Sequence, residues 1–341
     1  MRGYLGPTMS DFEIVAVRGP LDESVHHVSA AVVTLEGTLI AQAGDPELVT
    51  YWRSASKPFQ LAPLIEDGGI ERFGLDQEML ALGCGSHNAE PIHREVGARW
   101  LAAVGLQEDD LSCGGHPSLW PEQAERMIRK GVTPTPLWSN CSGKHAGLLA
   151  LARLHGWPTD SYQAVGHPVQ DRVAASVARR TGIAVDRLVW GVDGCTAAAV
   201  ALPISAMARG YAALGAGADP ALAVLRDAMM AWPMMIAGSE RLDTVLMEAW
   251  PGRVIAKIGA EGVFSAALPT LGIGLSLKVH DGEMRAAGYA LIALLEALVQ
   301  RLDPAGDWPM EQLARWRSPK IRNTRGVVTG SFQPRLALRF A

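Results

Sequence analysis

The stretch "RSASKPFQ", residues 53–60, sets Ser54 three positions before Lys57 and puts Pro58 directly after the lysine. A serine hydroxyl is a weak nucleophile until a neighbouring base takes its proton. A lysine amine can be that base once burial or a nearby cation strips its own proton. At the start of a helix, positions three apart share a face. The free backbone N–H groups there also favour a developing oxyanion. The chain has 18 serines, and about 0.3 S-x-x-K matches arise by chance at this composition, so the spacing needs support from its context. The alternative is that Ser54 is an N-cap and Lys57 a solvated first-turn side chain. The helix dipole slightly disfavours a cation at that position.

Two further stretches supply context. Enzymes that acylate an S-x-x-K serine also carry an S-D-N-like motif in a loop and a K-T-G-like motif on a strand, in that order. Here Ser86, His87 and Asn88 precede a helix starting near Pro91, and Lys257, Ile258 and Gly259 end the apolar run "RVIAKIG". The third box lacks its hydroxyl. The chemistry expected is serine acyl transfer. Lys57, kept neutral by burial and by repulsion from a cationic Lys257, takes the proton of Ser54 as that hydroxyl attacks an amide carbonyl. Ser86 and Lys257 relay a proton to the leaving nitrogen, and the Ser54 backbone N–H forms part of an oxyanion hole. Lysine usage points the same way. Of 31 basic residues only Lys57, Lys130, Lys144, Lys257, Lys278 and Lys320 are lysine, and arginine cannot lose its proton.

A second cluster is "NCSGKHAGLLA", with Cys141 and Lys144, and a third is "VDGCTAAA", with Asp193 and Cys195. Two thiolates and a nearby nitrogen can hold zinc, with a carboxylate behind them. The alternative, two small buried thiols, stays open, because lysine is an unusual zinc ligand. His87, Glu90 and His93 have no standard zinc spacing and are interrupted by Pro91. Met229, Met230, Met234 and Met235 read as adaptable core or pocket lining, and Cys113 as a buried thiol beside a turn.

These residues need elements to hold them. "FEIVAVRG" and "HVSAAVVTLEGTLIAQAG" read as strands, with a hairpin turn at Glu36 and Gly37. Helices follow in "SASKPFQLAPLIEDGG", "EPIHREVGARWLAAVG" and "PVQDRVAASVARRTG", the last with Val169, Val173 and Val177 on one face. Small-residue helices continue to "RVIAKIG" and "GIGLSLKVHDGEMR", where Asp281 and Gly282 mark an expected hairpin. A helix from about Ala286 and a strand in "IRNTRGVVTGSF" close the chain. Strands at both ends with helices between them predict an α+β protein whose terminal strands share one sheet. The expected division is one unit, 1–341, with a sheet lobe from about 11–50 plus 253–335 and a mainly helical lobe from about 51–252. Composition agrees: 48% apolar and 19% charged residues suit a globular protein with a sizeable core. The net charge of −4 argues against a nucleic-acid surface. Neither a signal peptide nor a membrane span is apparent, so a cytoplasmic location with reduced cysteines is expected.

Taken together, "RSASKPFQ", "GSHNAEP", "CGGHP", "NCSGKHAGLLA", "DGC", "MAWPMMIAGSERLDTVLM", "KIGAEGVF" and "NTRGVVTG" resemble the class 3, or rhizobial-type, L-asparaginase family, which is similar in fold to serine β-lactamases and penicillin-binding proteins. The resemblance implies a β-lactamase-like antiparallel sheet with a helical lobe inserted, and hydrolysis of L-asparagine to L-aspartate and ammonia through a seryl acyl-enzyme. It implies two catalytic pairs, Ser54 with Lys57 and Ser86 with Lys257, and a Zn2+ site of Cys141, Lys144 and Cys195. It also implies substrate contacts from Asp193, with Arg53, His87 and Asn88 beside it, and a homodimer acting on a small molecule rather than on nucleic acid or membrane. The chain departs from the pattern after Cys195, before Cys141, and at Asp243, where some relatives carry a cysteine. Rival expectations are a glutaminase, another β-lactamase-like serine amidohydrolase, or a non-catalytic amino-acid-binding protein on the same fold.

Overall fold

The computed structural model of the chain describes residues 11–341. Its strands in chain order are β1 (Phe12–Arg18), β2 (Leu21–Thr34), β3 (Leu39–Ala43), β4 (Val49–Tyr51), β5 (Val189–Val192), β6 (Ala198–Pro203), β7 (Ile255–Ile258), β8 (Val263–Leu268), β9 (Ile273–Val279), β10 (Lys320–Arg322), β11 (Val328–Leu336) and β12 (Arg339–Phe340). The large sheet runs β10-β11-β1-β2-β9-β8-β7, with β3 joining β2 to β12. Its pairs are antiparallel, and the first and last strands meet directly, Ile14 opposite Pro334. Strand β2 pairs with β9 from Val28↔Val279 to Thr34↔Ile273. The central strands are buried residue after residue rather than alternately, the pattern of a sheet covered on both faces.

The helix Ile204–Ala216 packs on β9, β2 and β8, while the helix Met284–Leu302 packs on β9, β11, β8 and β1. Contact with the first is so close that Gly274 is required: a Cβ there would lie 2.1 Å from the Ala208 carbonyl oxygen. Between β4 and β7 the chain is mainly helical. Helices Lys57–Glu66, Gln77–Cys84, Ser142–His155, Pro168–Thr181 and Pro220–Ala231 pack on one another, and β4-β6-β5 form a small second sheet.

Three expectations are corrected. Asp281 and Gly282 do not turn a hairpin but lead from β9 into the helix at Met284, and Asp281 bonds instead to His26 Nδ1 at 2.7 Å. The segment 321–332 is not one strand; Asn323 folds the chain back by accepting from the Arg325 and Val327 N–H groups, giving β10 and β11. The sequence also does not predict strands β4, β5, β6, β8 and β12; for β6 and β8 the reason is that "AAVALP" and "VFSAAL" are short apolar runs without period-2 alternation, a pattern that helix and buried strand share.

What fixes the two parts against each other is an aromatic cluster under the first turn of the Lys57–Glu66 helix. Trp52 stacks on Phe59 at 4.7 Å, and Tyr211 meets both edge-on. The Trp52 indole N–H donates to Ser265 Oγ on β8, and Tyr211 donates to the Ala55 carbonyl at 2.8 Å. Truncating a buried Trp to Ala costs about 3–5 kcal/mol, so this cluster anchors the backbone on either side of Ser54.

Candidate active site

Ser54 lies in a 3-10 turn, Arg53–Ser56, leading into the Lys57–Glu66 helix. Arg53 has φ +53°, a left-handed conformation that non-glycine residues hold only when their surroundings impose it. Ser54 is not a helix cap: the capping position is Ser56, whose hydroxyl donates to the Arg53 carbonyl at 2.7 Å. Ser86 follows the helix Gln77–Cys84 in an extended loop lying against 235–237. The Ser86 N–H donates to Ile236 O and the Asn88 N–H to Ala237 O. Gly85 permits that approach, since a Cβ would stand 2.4 Å from the Met235 carbonyl.

The serine–lysine partnership differs from the one expected. Lys57 is fully buried, and its amine donates to Ser86 Oγ at 2.9 Å, to the Asn140 carbonyl at 3.2 Å and to the Gly85 carbonyl. Among the described residues it has no hydrogen bond to Ser54. The cause is reach, as the four-carbon stem carries the amine beyond its own turn to two facing carbonyls. An unprotonated Lys57 would give both N–H groups to those carbonyls and its lone pair to the Ser86 hydroxyl.

Lys257, also fully buried, does not bond to Ser86 either. Its amine donates to the Ile258 carbonyl at 2.8 Å and lies 4.0 Å from Asp243 Oδ1. Asp243 is itself fully buried; its Oδ1 accepts from the Ile258 N–H at 2.7 Å, and its Oδ2 has no hydrogen-bond partner among the described residues. Burial pulls the Lys257 amine down to about 7, with Asp243 opposing and the charge of Lys57 assisting. The amine that the sequence reading makes cationic therefore holds its proton less firmly than an ordinary lysine.

The second cluster is compact. Lys144 Nζ lies 2.8 Å from Cys195 Sγ and 4.0 Å from Asp193 Oδ2, and Arg53 Nε donates to Asp193 Oδ1 at 2.7 Å. The Cys195 thiol is pulled down to about 5 by a hydrogen bond from Cys141 and by Lys144, against its burial. Cys141 is pushed up to about 12 by that same bond and by burial. For Lys144, burial favours the neutral amine, but Cys195, Cys141 and Asp193 more than offset it and raise its pKa. No three His, Cys, Asp or Glu side chains among the described residues group to hold a metal ion. Two thiols and an amine are a donor set that fits zinc in kind, provided Lys144 surrenders its proton.

Two cavities meet at Ser54. One, about 250 Å³, is lined by Ser54, Ser86, Asn140, Arg241 and the segment 258–261. The other, about 480 Å³, is lined by Arg53, Ser54, His116, Cys141, Asp193 and Cys195. They share Ser54, Leu119, Asn140 and Ala260. His87 and Asn88 line neither; both are fully buried behind the loop, His87 bonded to Ser142 Oγ at 3.0 Å and Asn88 to the Ser239 carbonyl at 2.9 Å. Burial, with repulsion from His93 and Lys57, holds His87 well below the usual histidine range. His93 accepts from the Glu90 N–H at the head of its helix, which explains the His87, Glu90 and His93 grouping without a metal.

Sequence reasoning missed Arg241, which lines the smaller cavity and donates to Asn88 Oδ1 at 3.1 Å, and Ala260, which lines both cavities. The signal for Arg241 was its place in the block "AGSERLD", whose arginine no neighbouring pattern singles out. No helix among the described residues is long and apolar enough to cross a membrane.

The sequence matches the L-asparaginase II family over residues 14–334. Comparison with curated proteins gave no match. Solved structures similar to the chain include an octameric penicillin-binding protein homologue from Pyrococcus abyssi, with TM-score 0.44, 13% identity, and coverage of 88% of this chain and 80% of that one. A second is a putative beta-lactamase from Bacteroides dorei DSM 17855, with TM-score 0.40, 11% identity, and coverage of 74% and 84%. A beta-lactamase from Mycobacterium bovis aligns with TM-score 0.35, 13% identity, and coverage of 80% and 94%.

Proposed function

The chain belongs to the L-asparaginase II family, a family of amidohydrolases, and from that premise we propose that it hydrolyses L-asparagine through an acyl-enzyme on Ser54. The observation that carries this reading is the 2.9 Å bond from the Lys57 amine to Ser86 Oγ, in a wall that Ser86 shares with Ser54. Ser54 Oγ attacks the carboxamide carbon, and its proton passes by way of Ser86 Oγ to an unprotonated Lys57 amine, which is bonded to that hydroxyl. Burial, with the charge of Lys57 assisting, lowers Lys257 to about 7, so the two amines need not both hold a proton. The oxyanion is met by the N–H groups of Ser54 and Ala260, neither of which donates to another group among the described residues. The proton then returns to the leaving nitrogen, ammonia departs, and water opens the seryl ester along the same path.

The larger of the two cavities, about 480 Å³ and lined by Arg53, Ser54 and Asp193, lies within the roughly 300–1,000 Å³ of small-molecule sites, which suits one amino acid beside Ser54. Asp193 is assigned to the substrate ammonium and Arg53 to its carboxylate, the two being already paired and lightly exposed. Zinc, if bound, would be held by Cys141, Cys195 and Lys144 and would supply a fixed positive charge beside Asp193. The four buried free cysteines suit a reducing, cytoplasmic setting, and a homodimer is part of the same reading.

A second reading is favoured by the same bond: Ser86 as nucleophile with Lys57 as its base. The test of function is ammonia release from asparagine, compared with glutamine and nitrocefin, by the protein and its Ser54→Ala variant. Asparagine turnover lost in the variant supports the proposal. Faster glutamine or nitrocefin turnover replaces the substrate, and tight asparagine binding without turnover rejects the enzyme.

A further inference from the structure

Away from the catalytic cleft, a cavity of about 520 Å³ opens between the helices Pro91–Ala103 and Pro121–Arg129, lined by Arg94, Arg126 and Lys130, none of them in an ion pair among the described residues. Positions 123, 126, 127 and 130 share one face of the second helix, and all four line the cavity. Met127 is buried there, whereas Arg126 and Lys130 are like charges one turn apart. Among the described residues neither has an ion pair or a side-chain hydrogen bond. Across the cavity the Arg94 guanidinium lies 4.0 Å over the Trp138 ring and gives only its Nε, to the Ala89 carbonyl, leaving both terminal nitrogens free. Arg126 lies 5.9 Å over Trp120. The one carboxylate in the lining, Glu90, is occupied by the Ser239 N–H and hydroxyl, each at 2.8 Å.

Three cations and two indoles, against a single carboxylate already bonded to Ser239, are a net-positive recognition surface for a flat ring bearing an anion. The guanidinium fork suits a phosphate, and the indoles offer a stacking wall. We propose that this cavity binds a planar aromatic anion of the nucleoside monophosphate class. The volume lies in the range of small-molecule sites, and the net charge of −4 argues against a nucleic-acid polymer as the ligand.

The cavity is wired to the catalytic loop. Arg94 holds the carbonyl of Ala89, a residue kept at φ +56°. The Trp120 backbone N–H donates to Ser118 Oγ, which donates to the Asn88 carbonyl at 2.6 Å. A ligand that draws on Arg94 or Trp120 therefore acts on the loop that carries Ser86.

The test is calorimetric titration of the full chain with adenosine monophosphate, with adenosine and inorganic phosphate as separate probes. The binding readout does not depend on the proposed reaction, so failure of either reading is seen separately. Expected are saturable binding of the nucleotide, at least about tenfold weaker binding of each fragment, and at least about tenfold weaker nucleotide binding by the exposed Arg126→Glu, Lys130→Glu double variant. Nucleotide should shift kcat or KM for asparagine in the wild type, while the double variant without nucleotide keeps wild-type values. No saturable nucleotide binding, inorganic phosphate binding as tightly as the nucleotide, or a double variant that binds like wild type overturns the site. A bound nucleotide that leaves both kinetic constants unchanged overturns the coupling.

Discussion

Replacing Asp243 by asparagine isolates one charge. The asparagine Oδ1 can still accept the Ile258 N–H that Asp243 holds at 2.7 Å, and Asp243 Oδ2 has no hydrogen bond to lose. What disappears is a negative charge 4.0 Å from the Lys257 amine. At an effective dielectric of about 20, unit charges at that separation interact by about 4 kcal/mol, a ceiling equal to about three pH units. The charge is spread over two oxygens, and the amide dipole replaces part of it, so a fall of about one to two pH units is expected. The sign is fixed: without the anion, protonated Lys257 is less stable, and its pKa drops below about 7. In the proposed reaction a second proton on the lysine pair stops the relay, so the acid limb of kcat/KM lies near that value in the wild type and moves to lower pH in Asp243→Asn. Ammonia release from asparagine, measured across pH on both proteins, reads this directly. An acid limb that stays in place or moves up, in a variant with unchanged circular dichroism and Tm, refutes the assignment of that limb to Lys257.

Gly274→Ala should lower stability by about 1–3 kcal/mol, or about 1.5–4 °C in Tm for a chain of this length, because the new Cβ would sit 2.1 Å from Ala208 O and 2.2 Å from Ala212 N; an unchanged melt contradicts the close packing. Glu66 is held down to about 2, burial being outweighed by Arg172, Arg180 and Arg179. Its contribution to stability is thus complete above its ordinary value of 4.5 and lost as pH falls from there through about 2. Glu66→Gln should flatten the fall in Tm over that window, and an identical fall in both proteins would refute it. Cys195→Ser should lower the zinc retained after reconstitution and gel filtration from about one per chain, and a wild type that retains none removes zinc from the account.

Much of the scaffold was legible because its elements repeat a simple physical rule. Pro58 at the head of one helix, Gly182 after another, and the valines at 169, 173 and 177 each follow from capping or periodicity, and the valines are buried as the period requires. Strands β6 and β8 escaped because apolar residues on both faces erase the alternation that marks a strand. Of the site, residue types and chain order were readable, since S-x-x-K and its partner motifs are local. Which lysine meets which serine was not, because a long flexible stem lets Lys57 bypass its own turn for Ser86 across 29 positions of sequence. The lowering of Lys257 to about 7 was out of reach for a related reason: it comes from burial of the amine in the folded chain, and spacing carries no such information. Arg241 escaped because its role depends on the fold bringing it against Asn88, from 153 positions away.

The central claim is that Ser54 carries the acyl group while Ser86 and Lys57 move its proton. Acid quench of the protein during asparagine turnover, followed by proteolysis and mass mapping, locates the aspartyl ester. The account predicts the added aspartyl mass on the peptide containing Ser54, absent in Ser54→Ala and still formed, slowly, in Ser86→Ala. An ester on Ser86, or a label that survives Ser54→Ala, contradicts it.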